Sequence, residues 1–419
     1  MRKAVFEILK EFKEEKTYLN LKLKNLNYDD DKIRNITIRV YGVVQNFNFL
    51  EFKILEVSKD KKLDQDTKIV LMMALFEKMY LDSVPDYALI SEYTNLAHRF
   101  SPKSVKYISF FLNNKLEQAQ ESIPKYGNEL KNISIIYSHP LWVVKKLQKQ
   151  YPENYLDIIK ANLTKKEITA RVVKNIEEKE LFSEVNYDDL VKCSINVLQT
   201  KDFKNGNIII QDFGSYLVTK FLDPQKNDIV FDMCAAPGNK TLHIAQTAAE
   251  VYANEINLKR FELLKRNVKK NDFKNITVIN YDASDSKEIG NFLNTTKFDK
   301  ILVDAPCSGW GVFRSKPDIK VNQNILQVEQ LKKIQQNILL TAYNFLKPGG
   351  ELVYSTCTIN KEENEEQIIE FLNVFQMEEI LDNKIKEFST KNKYGYTLTP
   401  DLHKSDGFYM CKLKKGYDE

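Results

Sequence analysis

The stretch from Asp228 to Thr241 constrains this chain more than any other. Ile229, Val230 and Phe231 form an apolar run that predicts a short buried strand. Pro237 and Gly238 predict a turn, and Leu242, Ile244 and Ala245 begin a helical pattern. Strand, tight turn and helix in this order form a cradle of the nucleotide-binding type, with backbone N–H groups facing a ligand at the helix start. Only one glycine is present, so the turn is not the dinucleotide fingerprint. Nor is it a P-loop, which needs a second glycine directly before the lysine. Asn239 occupies that position, and asparagine is among the few residues that tolerate a positive φ.

The rhythm around the cradle changes near Gly206. Beyond it, predicted strands at 208–210, 229–231, 251–253, 276–279, 300–303 and 351–354 alternate with helical patterns, among them 258–271 and a long one through Leu331, Ile334, Ile338 and Leu339. Repeated βα units imply an α/β domain with a parallel, doubly wound sheet. The closing run 412–419 reads as a frayed, charged end.

Residues 1–137 carry a different pattern. Ala4, Val5, Ile8, Leu9 and Phe12 recur at helical spacing, as do Ile36, Val40, Val43, Val44 and Phe47, and then Ile69, Met72, Met73, Leu75 and Phe76. Ser101-Pro102 predicts an N-cap and first helical residue, opening a helix whose apolar face is Val105, Ile108, Phe111, Leu112 and Leu116. An all-α domain follows from this, and by itself it implies no chemistry. Ser138-His139-Pro140-Leu141-Trp142 breaks the pattern. His139 and Trp142 read as a packed hinge rather than as substrate contacts. A mixed segment, 138–205, connects the two domains, and 206–419 is the α/β domain.

A chain of 419 residues is too long for one ordinary core, so two or three domains are expected. The net charge of +4 permits nucleic-acid binding without demanding it. Five scattered cysteines argue against a disulfide framework and for a reducing compartment. No apolar run reaches the ~18 residues of a membrane span, and the N-terminus lacks the apolar run of a signal peptide. The expectation is a cytoplasmic protein.

In a doubly wound sheet, ligands bind beyond the carboxyl ends of the strands. Asp232, Glu255, Asp282 and Asp304 fall at that edge. A carboxylate after a strand is also a common helix N-cap, but four in this spacing behind one cradle point to a ligand. Glu255, after the second strand of the unit, is placed to accept ribose hydroxyls, and Asp282 lies where an adenine would be. Asp304-Ala305-Pro306-Cys307-Ser308-Gly309 follows one strand and Ser355-Thr356-Cys357-Thr358 the next. Free cysteines are usually small buried apolar residues, a reading that suits Cys193 and Cys411. Cys307 and Cys357 instead lie in turns at the ligand edge. Two readings remain for them: a reactive pair sharing one cleft, or one reactive cysteine and a spectator. No Cys-x-x-Cys spacing or nearby histidine completes a zinc site.

With Cys234-Ala235-Ala236-Pro237-Gly238-Asn239-Lys240 at its cradle, the chain resembles the Nol/Nop/Sun family of RNA cytosine methyltransferases. The strings around Cys307 and Cys357 are similar to that family's Pro-Cys and Thr-Cys motifs. Arg314, Pro317, Asp318 and Ile319 extend the first, and His403 with Asp406-Gly407-Phe408 resembles the closing motif. The chain departs where the family usually has a second glycine (Asn239), where it often has leucine or a smaller residue (Trp310), and where a strand at Thr169-Ala170-Arg171-Val172 normally continues with Asn rather than Val173. Arg39-Val40-Tyr41-Gly42-Val43 and residues 85–116 resemble the RNA-binding domain of the NusB type, which precedes the catalytic domain in the Sun (RsmB) branch.

The resemblance implies a Rossmann-like, S-adenosylmethionine-dependent methyltransferase domain behind an all-α NusB-like domain. Residues 234–240, Glu255, Asp282 and Asp304 would hold the cofactor. RNA, most simply small-subunit (16S) rRNA, would be the partner, with 138–205 contacting it. A monomer with no metal and no membrane partner is expected. Cys357 is then the nucleophile, Cys307 assists product release and Asp304 sits at ring nitrogen 3 of cytosine. Lys240 either tunes the cysteine or base by its charge, or is a solvated lysine at a helix start. Rival readings are the same reaction on tRNA or another rRNA site, a non-catalytic RNA-binding assembly factor, and a small-molecule methyltransferase.

Overall fold

The computed structural model describes residues 1–15, 19–59, 62–81, 84–185, 187–193, 197–294 and 296–417. The chain forms two compact units. One combines Met1–Leu163 with Phe313–Gln323, and the other combines Thr164–Val312 with Asn324–Glu419. The first unit thus extends past residue 137: helices Leu141–Gln150 and Tyr155–Ala161 belong to it.

That unit is helical because its apolar residues recur at helical spacing, and some of its helix starts are capped by side chains. Asp29 accepts from the Lys32 amide ahead of helix Asp30–Gln45, and Asp64 from the Thr67 amide ahead of Gln65–Tyr80. The latter helix is apolar almost all round and runs through the middle of the core. The charged Glu77 on it is fully buried but paired, with Arg2 at 2.7 Å and Arg39 at 2.6 Å. Arg39 is therefore part of the core. Gly42 is required by packing: a Cβ there would lie 2.0 Å from Phe76 Cζ. The helix expected after Ser101 divides. Pro102–Ser104 is a 3-10 turn, Val105–Asn114 is helical, and the chain bends at Lys115 before Leu116–Glu121. His139 is buried, with its Nδ1 2.6 Å from the Tyr137 carbonyl and its Nε2 3.1 Å from Asn162 Nδ2. Burial holds its pKa far below the ordinary value, so the neutral ring donates at Nδ1 and accepts at Nε2.

Residues 313–323 complete this unit. Helix Pro317–Val321 packs on Asp30–Gln45, and the fully buried Lys320 donates from Nζ to the Gln45 carbonyl at 2.8 Å. Gln45 closes its helix, so the ammonium meets a negative helix end. Burial nevertheless lowers its pKa to about 7.

The second unit begins with a four-stranded antiparallel sheet built from β1 (Thr169–Val172), β2 (Phe182–Val185), β3 (Tyr187–Cys193) and β4 (Ile208–Ile210), in the order β2-β3-β1-β4. Arg171, on β1, is fully buried. Its Nε donates to Gln211 Oε1 at 3.1 Å, so it faces the interior. The main sheet comprises β5 (Ile229–Asp232), β6 (Glu250–Asn254), β7 (Ile276–Ile279), β8 (Phe298–Asp304), β9 (Leu346–Thr356), β10 (Met377–Glu379), β11 (Thr390–Lys391), β12 (Tyr396–Leu398) and β13 (Phe408–Lys415). Its order is β11-β12-β13-β9-β8-β5-β6-β7, with β10 on β13. Strands β5 to β9 are mutually parallel, and β13 runs antiparallel to β9.

From β5 the chain steps outward to β6 and β7, then returns to β8 on the other side. The topological switch point therefore lies between β5 and β8. The expected frayed end is corrected: Lys412 to Lys415 lie in β13, with Lys412 opposite Val353 and Lys414 opposite Glu351. Lys412 Nζ reaches Glu351 at 2.8 Å, which pairs the charge of this buried lysine within the sheet. Residues 418–419 lie outside the described residues. Among the described residues, no helix is long and apolar enough to cross a membrane.

Candidate active site

The switch point places the site. Asp232 and Asp304 are the last residues of β5 and β8, the two strands that flank it. Beyond Asp232 the cradle turns tightly. The Gly238 amide donates to the Ala235 carbonyl at 2.8 Å, and helix Asn239–Ile244 starts at once. The positive φ, 108°, falls on Gly238. Asn239 instead takes ordinary helical backbone, and its side chain donates to the Ile210 carbonyl at 3.0 Å. The missing second glycine therefore leaves no strained residue. The cradle's other carbonyls are tied down from helix Leu258–Lys270, Ala236 by Arg260 at 2.6 Å and Pro237 by Asn267 at 2.7 Å. Cys234 lies within this loop, and burial raises its thiol well above the ordinary range, so it is neutral.

The other predicted cofactor residues gather along the same edge. Glu255 follows β6 directly and is almost fully buried. Its carboxylate accepts from the Asn257 amide at 2.9 Å and lies 3.3 Å from Arg260. Asp282 accepts at Oδ1 from the Ser284 amide and hydroxyl, a local turn that fixes its carboxylate. Asn280 Nδ2 donates to the Glu255 carbonyl at 2.5 Å, joining these two loops. Asp232 accepts from Thr241 at 2.7 Å, and burial raises its pKa to about 7. The donor set is a backbone turn with several carboxylates. That fits a ligand with ribose hydroxyls and a cationic sulfonium.

One salt bridge joins the cradle to the cysteines. Lys240 Nζ lies 2.7 Å from Asp304 Oδ2, and Ser355 donates to Asp304 Oδ1 at 2.9 Å. Burial disfavours the Lys240 ammonium, but Asp304 outweighs it and holds the pKa above the ordinary lysine value. Lys240 is thus an ion-paired part of the site. Asp304 pairs with Ser355 across the parallel β8–β9 ladder. The two chains then turn beyond the sheet edge together, bringing Cys307 Sγ within 3.4 Å of Cys357 Sγ. The Gly311 amide donates to the Cys357 carbonyl at 3.1 Å, binding one loop to the other. The hydrogen bond to Cys357, then burial, raise Cys307 well above the ordinary thiol range, so Cys307 keeps its proton.

Of the motif extensions, Arg314, Pro317, Asp318 and Ile319 lie in the segment that belongs to the helical unit. Asp406 pairs with Lys166 at 2.5 Å, and Gly407 donates to the Gly311 carbonyl at 2.7 Å. The sequence reading missed Glu363. It stands in the charged run 361–366, which reads as a solvated face, and no periodicity marks it. Yet it is fully buried behind the cysteine loops. Among the described residues, no group of three or more His, Cys, Asp or Glu is arranged to hold a metal ion.

A switch-point cradle, an acidic strand edge and this sheet order define the second unit as a Rossmann-like methyltransferase domain with S-adenosylmethionine as cofactor. Residues 219–414 match the 16S rRNA methyltransferase RsmB/F family, residues 1–114 the NusB family, and residues 139–183 the ferredoxin-like domain of RsmF/B-like methyltransferases. The chain is 31% identical to the "Probable ribosomal RNA small subunit methyltransferase B" of Bacillus subtilis (strain 168), covering 99% of this chain and 98% of that one. It is also 31% identical to the ribosomal RNA small subunit methyltransferase B of Salmonella arizonae, covering 90% and 89%. The crystal structure of PH0851 shares the fold with a TM-score of 0.77 at 24% identity, covering 98% of each chain. The chain belongs to the RsmB/F family of rRNA methyltransferases.

Proposed function

We propose that the protein methylates carbon 5 of a cytosine in RNA, with small-subunit rRNA as target, through a covalent adduct on Cys357. The observation that carries this reading is the Cys307–Cys357 pair at 3.4 Å beside the Lys240–Asp304 salt bridge. Carbon 5 of cytosine is a poor nucleophile. Addition of the Cys357 thiolate at carbon 6 moves the ring's π electrons towards carbon 5 and makes it an enamine. Asp304, held from both sides by Lys240 and Ser355, balances charge at ring nitrogen 3. The bound cofactor supplies an electrophilic methyl group. After transfer, a base, water in the simplest case, takes the carbon-5 proton; the C5–H electrons re-form the 5,6 double bond, and the C–S electrons leave with Cys357 as its thiolate. Cys307, which keeps its proton, hydrogen-bonds the departing Cys357 thiolate. The target base is reached unpaired or flipped from its stack. The NusB-type unit contributes phosphate contacts that place the RNA. The names of the relatives support rRNA as the target class.

Denaturing electrophoresis with substrate RNA and labelled cofactor tests the mechanism. Cys307→Ala is expected to accumulate a protein–RNA adduct. Cys357→Ala is expected to form none and to lose turnover while still binding cofactor. Adduct in the second variant alone would reverse the assignment, and full activity in both would end the covalent mechanism. Bisulfite mapping of total RNA with and without the active protein locates the target.

A further inference from the structure

Four donors converge on the buried carboxylate of Glu363. Its Oε1 accepts from the Ser308 amide at 2.8 Å and from Gln335 Nε2 at 3.1 Å. Its Oε2 accepts from the Ser308 hydroxyl and from Asn360 Nδ2 at 3.0 Å. Ser308 directly follows Cys307, and its Oγ also lies 2.9 Å from Thr358 Oγ1, which directly follows Cys357. Gln335, on helix Ile325–Phe345, donates as well to the Pro306 carbonyl at 2.9 Å, on the other side of Cys307. Tyr354, on β9, donates to the Glu363 main-chain carbonyl at 2.7 Å. One buried side chain thus gathers the turns after β8 and β9, the first at Ser308 beside Cys307, the second at Asn360 and, through the Ser308 hydroxyl, at Thr358 beside Cys357. A carboxylate is the side chain that can accept all four hydrogen bonds without presenting a donor of its own. A carboxylate that accepts from four donors in a low dielectric holds them tightly in place.

We propose that Glu363 is a positioning residue that sets the spacing and orientation of Cys307 and Cys357. The carboxylate does not act on the substrate. It clamps the Ser308 amide and hydroxyl, and through Ser308 and Asn360 it holds the second turn in register with the first. This rests on the reading that the two cysteines carry the chemistry, but the geometric part can be tested without it.

The test uses Glu363→Gln in the full chain, because the amide turns two acceptor positions into donors that face Asn360 and Ser308. The unfolding midpoint is expected to fall, because buried donors lose their acceptor, while the folded variant keeps wild-type cofactor affinity. Turnover on RNA is expected to fall by about tenfold or more through kcat, with KM unchanged, as befits a misplaced reacting group. Diamide, which oxidises neighbouring thiols, is expected to link Cys307 to Cys357 more slowly in the variant, read by peptide mapping. This second readout reports thiol spacing whether or not the cysteines are catalytic. Ser308→Ala, a milder change, is expected to shift both readouts the same way by less, and it serves if Glu363→Gln does not fold. Wild-type turnover and cross-linking in the folded variants would overturn the proposal, as would lost turnover with cross-linking unchanged. Failure of the covalent mechanism would instead appear as active cysteine variants.

Discussion

Asp232 shows how one buried carboxylate ties stability to pH. Its pKa in the fold, about 7, lies above the ordinary 3.8 because burial disfavours the charge. Between those two values the folded chain binds more protons than the unfolded one, so stability falls as pH rises through that window. Above pH 7 the whole penalty is present, and below about pH 4 it is absent. Asp232→Asn keeps an acceptor for Thr241 and removes the charge. Its gain in unfolding free energy should be near zero at pH 4 and reach roughly 1–4 kcal/mol at pH 8, at about 1.4 kcal/mol per pKa unit. Denaturant titrations at the two pH values check this, and a gain equal at both would refute it. Glu255 gives a prediction about binding instead. It is buried beside the cradle with its own loop already satisfied. Glu255→Ala should weaken S-adenosylmethionine binding by roughly 1–3 kcal/mol, the cost of leaving ribose hydroxyls unpaired. Calorimetry with unchanged affinity would remove Glu255 from the site.

Among the elements, the helix pair Asp30–Gln45 and Gln65–Tyr80 has the tightest constraint in the helical unit. Gly42→Ala adds about 1 kcal/mol of helix propensity, but its Cβ would meet three atoms of the Phe76 ring, the nearest at 2.0 Å. Overpacking should win by roughly 1–2 kcal/mol and lower the melting temperature, whereas Gly127→Ala, with nothing within 4 Å, should not. The sequence made the parallel strands and the cradle legible, because apolar runs and Pro237-Gly238 are local signals. It also placed Asp304 and Cys307 after one strand and Cys357 after another. Their closeness depends on β8 and β9 being parallel neighbours with Asp304 opposite Ser355, which no local pattern states. Lys412 to Lys415 read as a frayed tail because charge outweighed alternation, and only the partner strand's Glu351 explains Lys412 in the sheet. Glu363 was hidden for the same reason. Its neighbours Lys361, Glu362 and Glu365 are not fully buried, so the run looks solvated.

For the whole molecule, the decisive fact is that the helical unit is made of two pieces of chain. A truncated chain starting at Thr164 still contains Phe313–Gln323, but loses His139, which meets the Phe313 ring, the Gln45 carbonyl that accepts from the buried Lys320, and the helix Asp30–Gln45 on which Pro317–Val321 packs. That chain should melt at lower temperature and self-associate. Replacing 313–323 by a flexible Gly/Ser linker in the same truncation should reduce the association, as size-exclusion chromatography would show. Equal behaviour of the two truncations would mean that the segment does not depend on the helical unit. The truncation should also lose salt-dependent RNA affinity, the part that phosphate contacts supply.

The same two-piece architecture bears on how the protein is made. A ribosome releases the first 163 residues long before residue 323, so the N-terminal helices emerge with the seat of helix Pro317–Val321 still empty. During that interval they must persist as an unfinished bundle while the strands from β1 to β8 appear behind them. Folding of this chain therefore cannot proceed strictly one domain after another during synthesis. The helical unit closes only once the loop carrying Cys307 has itself been translated.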